Sequence, residues 1–385
     1  MEKKNISVLM IIGLFYPVVG GAEKVCQQLS KSFIDRGMSV TVLTQFADGL
    51  PEHETIDGIP VYRKMRGWHP FGLTYMISVL YFLVKYRKRF DIIQCFGLFL
   101  FVPPAVVMKY VFKKSVVVRI LCSGQFGDFA GITQLKLKRL VTSCAKRCDS
   151  IVHMSNDIKE ELLVNRFPAH KLLCIPNGVD SDRFALLTTA HGKNTESICF
   201  VGRIESQKGL DYLLRALAII IAYGSKVKLF IVGDGKQRTS LQDLAKNLAL
   251  GDHVVFTGFQ HDVLSYYRST RAFVLPSLSE GMSSALLEAM SCGLPVITTR
   301  VGAGEEIVGA DLGGNVLPWG HYHIGKRGIM VNPRDEKGLA KSIYKLLQDD
   351  SLSKNLGVSA REFVRSSYSY EGAVNAYQDL YNRLL

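Results

Sequence analysis

The chain has 385 residues, more than one ordinary core supports, and at about 100–200 residues per domain it should form two domains. Hydrophobic residues make up 48%, an ordinary share for a soluble globular protein with a sizeable core. The formal charge of +13 is uneven: residues 1–180 carry 24 Lys and Arg against 14 Asp and Glu, whereas residues 181–385 carry 23 against 20, and no nucleic-acid motif accompanies the excess.

In chain order, "MEKKNISVLMIIGLFYP" reads as a buried first strand bounded by Gly13 and Pro17 rather than a signal peptide, because it lacks a small-residue cleavage site. A helix with apolar Val25, Leu29 and Phe33 follows and stops at Gly37. "SVTVLTQF" is the next strand, "MISVLYFLVKYRKR" a helix, and "DIIQCFG", "SVVVRILCS" and "SIVHMS" further strands. The most apolar stretch, residues 95–112, is broken by Pro103 and Pro104. It reads as a strand end and a buried helix, short of the ~20 residues that a membrane span needs. Strands alternating with helices predict parallel βαβ units. The polar segment 186–197 is the expected linker, and the rhythm then restarts through "SICFVGRI", "KLFIVGDG", "VVFTGF", "AFVLPS" and "PVITT" with helices between. The expected division is residues 1–180, 190–364, and a helix over 365–385 that packs back on the first domain.

The eight cysteines form no CxxC pair. Cys144 and Cys148 are four apart, with no second pair to complete a zinc set, so all eight are expected to be reduced thiols. The basic clusters "KYRKRF" (85–90), "KYVFKK" (109–114) and "KLKR" (136–139) lie beside apolar helices. Each reads either as a solvated helix end or, together, as attraction to an anionic membrane, and they favour membrane over nucleic acid.

Three motifs carry chemistry. In "SLSEGMSSALLEAMSCGLPVITT", Ser283 or Ser284 is a plausible N-cap and Gly293 a plausible C′ residue, which predicts a helix over about 284–292. Glu280 then lies in the loop before the helix and Glu288 about one turn in, roughly 6 Å along the axis. The free amides of the first turn suit a phosphate, and the flanking carboxylates accept hydrogen bonds from hydroxyls, so a diphosphate flanked by hydroxyls fits. The competing account is a glutamate that serves the helix dipole and a second that is exposed and pairs with Lys. In "FVGRIESQKGLDYLL", Arg203 and Lys208 sit past the carboxyl end of a strand, where two cations neutralise a leaving diphosphate. The alternative is two solvated loop cations. In "FYPVVGGAEKV", Gly20 and Gly21 open a helix and let backbone approach a ligand, although a tight turn accounts for them equally.

Taken in order, "GGAE", "IPNGVDSDRF", "FVGRIESQKGLDYLL", "VGDG", "VVFTGF" and "PSLSEGMSSALLEAMSCGLPVI" resemble the retaining family-four glycosyltransferases of the GT-B fold, over most of the chain. The resemblance implies an α/β protein of two doubly wound Rossmann-like domains facing across a cleft, the first for the acceptor and the second for the nucleotide sugar. It implies that Glu280 binds donor sugar hydroxyls, that Glu288 binds the ribose, and that Arg203 and Lys208 hold the diphosphate. Ser283 and the amides of Ser284, Ala285 and Leu286 assist. Gly233, Phe259 and Gln260 border the base, and Gly20 and Gly21 approach the phosphate or the acceptor. It implies no cofactor and no metal beyond the nucleotide-diphosphate sugar donor, and a saccharide acceptor in surface polysaccharide or glycolipid synthesis. The charge of the basic first half points to a lipid-linked or membrane-bound acceptor and to a cytoplasmic enzyme peripheral to the inner membrane face.

The chain departs from the family in two places. The family often carries a His in the first-domain loop that here reads Ser123, Gly124, Gln125; Ser123 or Asp128 is the candidate replacement, and Asp128 is counted with the catalytic residues. The 313–333 loop is long, and its His321 and His323 lack a third metal ligand nearby, so a solvated loop is expected. "DSD" at 180–182 is read as turn chemistry. A nucleotide-sugar epimerase of the same architecture and a non-catalytic donor-binding subunit remain alternatives. A dehydrogenase would need Gly-x-Gly-x-x-Gly after a strand with an acid about 20 residues on, which the chain lacks.

Overall fold

The computed structural model describes residues 6–17, 20–69, 71–185, 194–313 and 315–385. The chain divides into two compact units, Met1–Pro176 with Gly372–Leu385, and Asn177–Glu371. Each is built on a largely parallel sheet.

The first sheet contains β1 (Ser7–Ile12), β2 (Ser39–Gln45), β3 (His53–Ile56), β4 (Ile59–Met65), β5 (Ile92–Phe96), β6 (Ser115–Arg119), β7 (Ser150–His153) and β8 (Leu172–Cys174), in the order β3-β4-β2-β1-β5-β6-β7-β8. Val8 of β1 lies opposite Val40 on one side and Ile92 on the other. These central strands are buried on both faces, which is why they read as continuous apolar runs. The hairpin β3–β4 is antiparallel and was not anticipated, since the sequence reading passes from β2 directly to a helix. Its signal is Asp57-Gly58, with φ of 50° and 80°, followed by strict alternation of buried and half-buried residues along β4. The strand expected over "SVVVRILCS" ends at Arg119.

The last helix, Tyr370–Leu384, completes this unit. Tyr377 and Tyr381 are buried. The Tyr377 hydroxyl accepts from Arg119 Nη1 at 2.5 Å, and the Tyr381 hydroxyl donates to Gln94 Oε1 at 3.2 Å. The sequence reads 365–385 as one helix, but the chain breaks it. The helix Asp350–Ser367 stops, Ser369 bridges in parallel to Val179, and a new helix starts at Tyr370. The Val179 amide donates to the Tyr368 carbonyl at 2.9 Å, and the Tyr370 amide to the Val179 carbonyl at 3.0 Å. Gly178 is required there, since a Cβ would lie 2.5 Å from Tyr370 Cα.

The second sheet contains β9 (Asn194–Val201), β10 (Lys228–Val232), β11 (Val254–Gly258), β12 (Thr270–Leu275), β13 (Val296–Thr299), β14 (Tyr322–Ile324) and β15 (Ile329–Val331), in the order β11-β10-β9-β12-β13-β15-β14. Among the described residues, β14–β15 is its one antiparallel strand pair. The loop expected over 313–333 therefore contains a strand, with His323 opposite Met330. The expected linker falls mostly on 186–193, outside the described residues, and 194–197 already belongs to β9. The change of unit comes at Pro176, ahead of the expected 180–190, because the following segment bonds to the second unit. Asn177 Nδ2 donates to the Met282 carbonyl at 2.8 Å, and Ser291 Oγ to the Phe184 carbonyl at 3.1 Å. The Asp180 carboxylate accepts the amides of Asp182 (3.1 Å) and Arg183 (3.0 Å), the expected Asx turn.

The chain runs from β9 outward to β10 and β11, then returns to β12 on the other side of β9. The carboxyl ends of β9 and β12 thus flank a topological switch point, where open α/β sheets bind ligands.

Truncating Tyr377 removes buried aromatic surface and the partner of a buried guanidinium. Tyr377→Ala should cost about 3–5 kcal/mol of first-unit stability, read as an earlier first transition in urea. A loss under about 1 kcal/mol would show that the last helix does not complete this core.

Candidate functional site

Two loops meet at the switch point of the second sheet, 202–209 after β9 and 276–283 after β12. Four contacts lock them. The Leu278 amide donates to the Gln207 carbonyl at 2.8 Å, and Gln207 Nε2 to the Ser279 carbonyl at 2.8 Å. Gly209 is left-handed (φ 61°), and a Cβ there would lie 2.3 Å from the Pro276 carbonyl oxygen, so this close approach needs glycine. The fourth contact is ionic: Lys208 Nζ pairs with Glu280 Oε1, and Ser277 Oγ donates to the same oxygen at 2.7 Å. Both side chains are largely shielded, at 15% and 11% exposure.

Behind Glu280, Gly302 (φ 55°) presses on the Glu280 and Gly281 carbonyls, the Ala303 amide donates to the Gly281 carbonyl at 2.9 Å, and Thr299 Oγ1 donates to the Ser277 carbonyl at 2.5 Å. The carboxylate is therefore fixed from the loop, from the neighbouring cation and from β13.

The helix Ser284–Ser291 starts and stops as its sequence predicts. Ser283 is the N-cap and its side chain accepts from the Leu286 amide; Cys292 is the C-cap and Gly293 follows at φ 69°. The cap occupies the Leu286 amide, so of the three amides expected to face a ligand, those of Ser284 and Ala285 remain in the unpartnered first turn. Glu288 is buried on this helix and accepts from the Tyr267 hydroxyl at 3.1 Å. Burial, and then the Glu288 carboxylate, push the Tyr267 phenol well above its usual range, so it stays a donor.

Arg203 is exposed at the tip of the β9 loop. Gly233, at the end of β10, has φ 141°, and a Cβ would fall 1.9 Å from the Gly202 carbonyl oxygen; Gly235 presses on Ile204 in the same way. The two glycines set the β9 and β10 loops against each other, with the Ile204 amide on the Asp234 carbonyl at 2.8 Å. Phe259 is exposed past β11 and meets His261 edge-on at 5.0 Å, and Gln260 Nε2 donates to the Thr257 carbonyl at 3.0 Å. Arg203, Lys208, Glu280, Ser283, Ser284, Ala285 and Gly233 thus belong to loops and turns at the carboxyl ends of β9, β10 and β12.

In the first unit, Gly20 is the N-cap of the helix Gly21–Asp35. Gly21 has open space where a Cβ would stand and no left-handed φ, so nothing in the fold demands glycine there. Asp128 is buried. Its carboxylate accepts the amides of Leu98 (2.6 Å), Leu121 (2.8 Å) and Cys122 (3.0 Å), which tie the loop after β5 to the loop after β6. Burial raises its pKa and the amides oppose that rise. The geometry makes it a positioning residue for these loops. Among the described residues, no three His, Cys, Asp or Glu side chains gather as a metal site would require.

Sequence reasoning missed Ser277 and Tyr267, which hold the two glutamates. Ser277 carries a weak signal, a hydroxyl three residues before Glu280. Tyr267 carries none, being brought to Glu288 by packing across 21 residues.

Residues 19–183 match the family described as Glycosyltransferase Family 4, and residues 188–363 match Glycosyl transferases group 1. The lipopolysaccharide core biosynthesis glycosyltransferase LpsE of Rhizobium meliloti (strain 1021) is 29% identical over 367 residues, 94% of this chain and 95% of that protein. Among solved structures, the sucrose-phosphate synthase of Thermosynechococcus elongatus superposes with a TM-score of 0.81 at 21% identity over 99% of both chains. Anabaena HepE, solved with UDP-glucose, superposes with a TM-score of 0.76 at 19% identity over 97% and 98%.

Tyr267→Phe removes one buried donor to a carboxylate while it keeps the ring. It should lower second-unit stability by about 1.5–3 kcal/mol in urea unfolding. An unchanged midpoint would mean that the hydroxyl does not hold Glu288.

Proposed function

Because this chain belongs to the group 1 glycosyltransferases of the GT-B fold, we propose that it moves a sugar from a nucleotide-diphosphate donor to an acceptor hydroxyl with retention at the anomeric carbon. One observation carries this reading: a shielded lysine and glutamate are fixed together at the switch point of the second sheet, and the glutamate lies three residues ahead of the Ser283 N-cap. That arrangement suits a ligand whose phosphate meets the cations and amides while its hydroxyls meet the carboxylates.

In this reading Lys208, Arg203 and the amides of Ser284 and Ala285 receive the diphosphate. Glu280, with Oε1 held by Lys208 and Ser277, turns Oε2 to sugar hydroxyls. Glu288, steadied by Tyr267, takes the ribose hydroxyls. Gly233, Phe259 and Gln260 border the base. As the bond from the anomeric carbon to the phosphate oxygen breaks, the bond to the acceptor oxygen forms on the same face, and the acceptor proton passes to the departing phosphate. Charge grows on that phosphate, and the preorganised cations stabilise it there. No protein nucleophile is invoked. Gly20 and Gly21 give the phosphate or the acceptor close access to backbone, and Asp128 fixes the loops after β5 and β6. LpsE is named for lipopolysaccharide core synthesis and HepE was solved with UDP-glucose, which together support a nucleotide-linked sugar donor and a saccharide or lipid-linked acceptor.

Donor hydrolysis screened across nucleotide sugars needs no acceptor and identifies the donor. With it, Lys208→Ala should lose roughly 10²–10³-fold in kcat with an unchanged melting profile, and near-normal turnover would reject the assignment. NMR of the transfer product reads the anomeric configuration, and inversion would reject retention. Donor converted to an isomeric nucleotide sugar without acceptor would mark an epimerase, and binding without turnover a non-catalytic subunit. Gly21→Ala, which the fold tolerates, should raise the donor or acceptor KM several-fold; an unchanged enzyme would remove Gly21 from the site.

A further inference from the structure

The donor chemistry leaves the motif "IPNGVDSDRF" (175–184) without a task. Its residues 177–184 reach both ends of the helix Ser284–Ser291, which is about 12 Å long at 1.5 Å per residue. At the far end, Ser291 Oγ donates to the Phe184 carbonyl at 3.1 Å, and the Phe184 ring meets that of Tyr267 with centroids 6.2 Å apart. At the near end, Asn177 Nδ2 donates to the Met282 carbonyl at 2.8 Å, and the Asn177 backbone amide meets Met282 Sδ at 3.2 Å. Asn177 and Met282 are both buried, so water competes little for this contact.

The near-end bond falls at a sensitive place. A peptide unit is planar and trans, so the Met282 carbonyl and the Ser283 amide point in opposite directions. Holding the carbonyl toward Asn177 therefore fixes where the Ser283 N–H is aimed. That amide makes no hydrogen bond among the described residues, and it precedes the amides of Ser284 and Ala285, whereas the Leu286 amide is taken by the Ser283 side chain. Three successive carbonyls lead into the helix, and each has a donor. The Gly281 carbonyl accepts from the Ala303 amide at 2.9 Å, that of Met282 from Asn177, and that of Ser283 from the Leu287 amide at 3.2 Å. The middle donor is a side chain, and its amide donates without bringing a charge to the site.

We propose that Asn177 is a positioning residue for donor binding. By orienting the Met282–Ser283 peptide it aims the Ser283 amide, beside those of Ser284 and Ala285, at the donor diphosphate. This rests on the donor reading of the site. Ser291 supplies an internal control, because it joins the same segment to the same helix at the end away from those amides.

The test uses the full chain and the nucleotide sugar that the wild type hydrolyses fastest. Asn177→Ala should raise the donor KM about tenfold, the worth of one hydrogen bond, and leave the acceptor KM unchanged. Ser291→Ala should lower the melting temperature and leave the donor KM as it is. Asn177→Asp keeps the shape but donates only when protonated, and burial favours protonation. Its donor KM, relative to wild type at the same pH, should be raised near about pH 8 and recover toward about pH 5.5. Being nearly isosteric, it keeps the test decisive if the alanine variant misfolds. A wild-type donor KM in both Asn177 variants overturns the proposal. So does an equal rise in Ser291→Ala, which would mark general loosening of the helix, or an Asn177→Asp defect that ignores pH. A wild type that hydrolyses no nucleotide sugar takes down the donor reading and this inference with it, whereas normal wild-type turnover with unaffected variants removes Asn177 alone.

Discussion

The candidate site depends on the contact between the Gly209 backbone and the Pro276 carbonyl. It brings the loops after β9 and β12 together so closely that only a left-handed glycine fits. Once Gly209 is seated, Lys208 cannot move independently of Glu280, and the Gln207 side chain and carbonyl tie off the rest of the loop. The ion pair is a consequence of this backbone geometry. Removing two charges from water is costly, and mutual attraction repays it only when further hydrogen bonds satisfy the groups. Ser277 supplies one such bond to the shared oxygen.

The rest of the second unit extends the same device. Gly302 presses on the carbonyls of Glu280 and Gly281, Gly233 on that of Gly202, and Gly235 on that of Ile204. At each place a missing Cβ lets one loop lie directly on the next, so the carboxyl ends of β9, β10, β12 and β13 form one bonded rim. Groups held this way need little reorganisation when a charged ligand arrives, and reorganisation is what weakens electrostatic stabilisation in water. Glu288 follows the same logic on a regular helix, where buried Tyr267 fixes the carboxylate from a neighbouring element.

The sequence discloses whatever is local. The helix Ser284–Ser291 is bounded by a serine whose oxygen meets its own chain three residues on, and by a glycine that turns left-handed at its end. The alternation of strands and helices in both units is equally local, because parallel strands buried on both faces must be continuously apolar. What escapes is set by long-range competition. A helix running through 368–369 satisfies local propensity, but Val179 offers backbone bonds to Tyr368 and Tyr370 that end it. Asp128 has the composition of a ligand-binding acid, yet three amides from two loops converge on it, which no spacing rule anticipates. The β3–β4 hairpin was legible in Asp57-Gly58, but the apolar helix after it drew the reading past it.

Electrostatics is used differently in the two units. In the second, one cation and one anion are shielded together, where nearby low-dielectric protein strengthens short-range attraction and salt has little access. In the first, a large excess of cations stands in water, where each charge acts over about 8–10 Å and is weakened by salt. The shielded arrangement discriminates between ligand groups placed to within a fraction of an ångström. The spread arrangement has no such fixed geometry and acts through net charge alone.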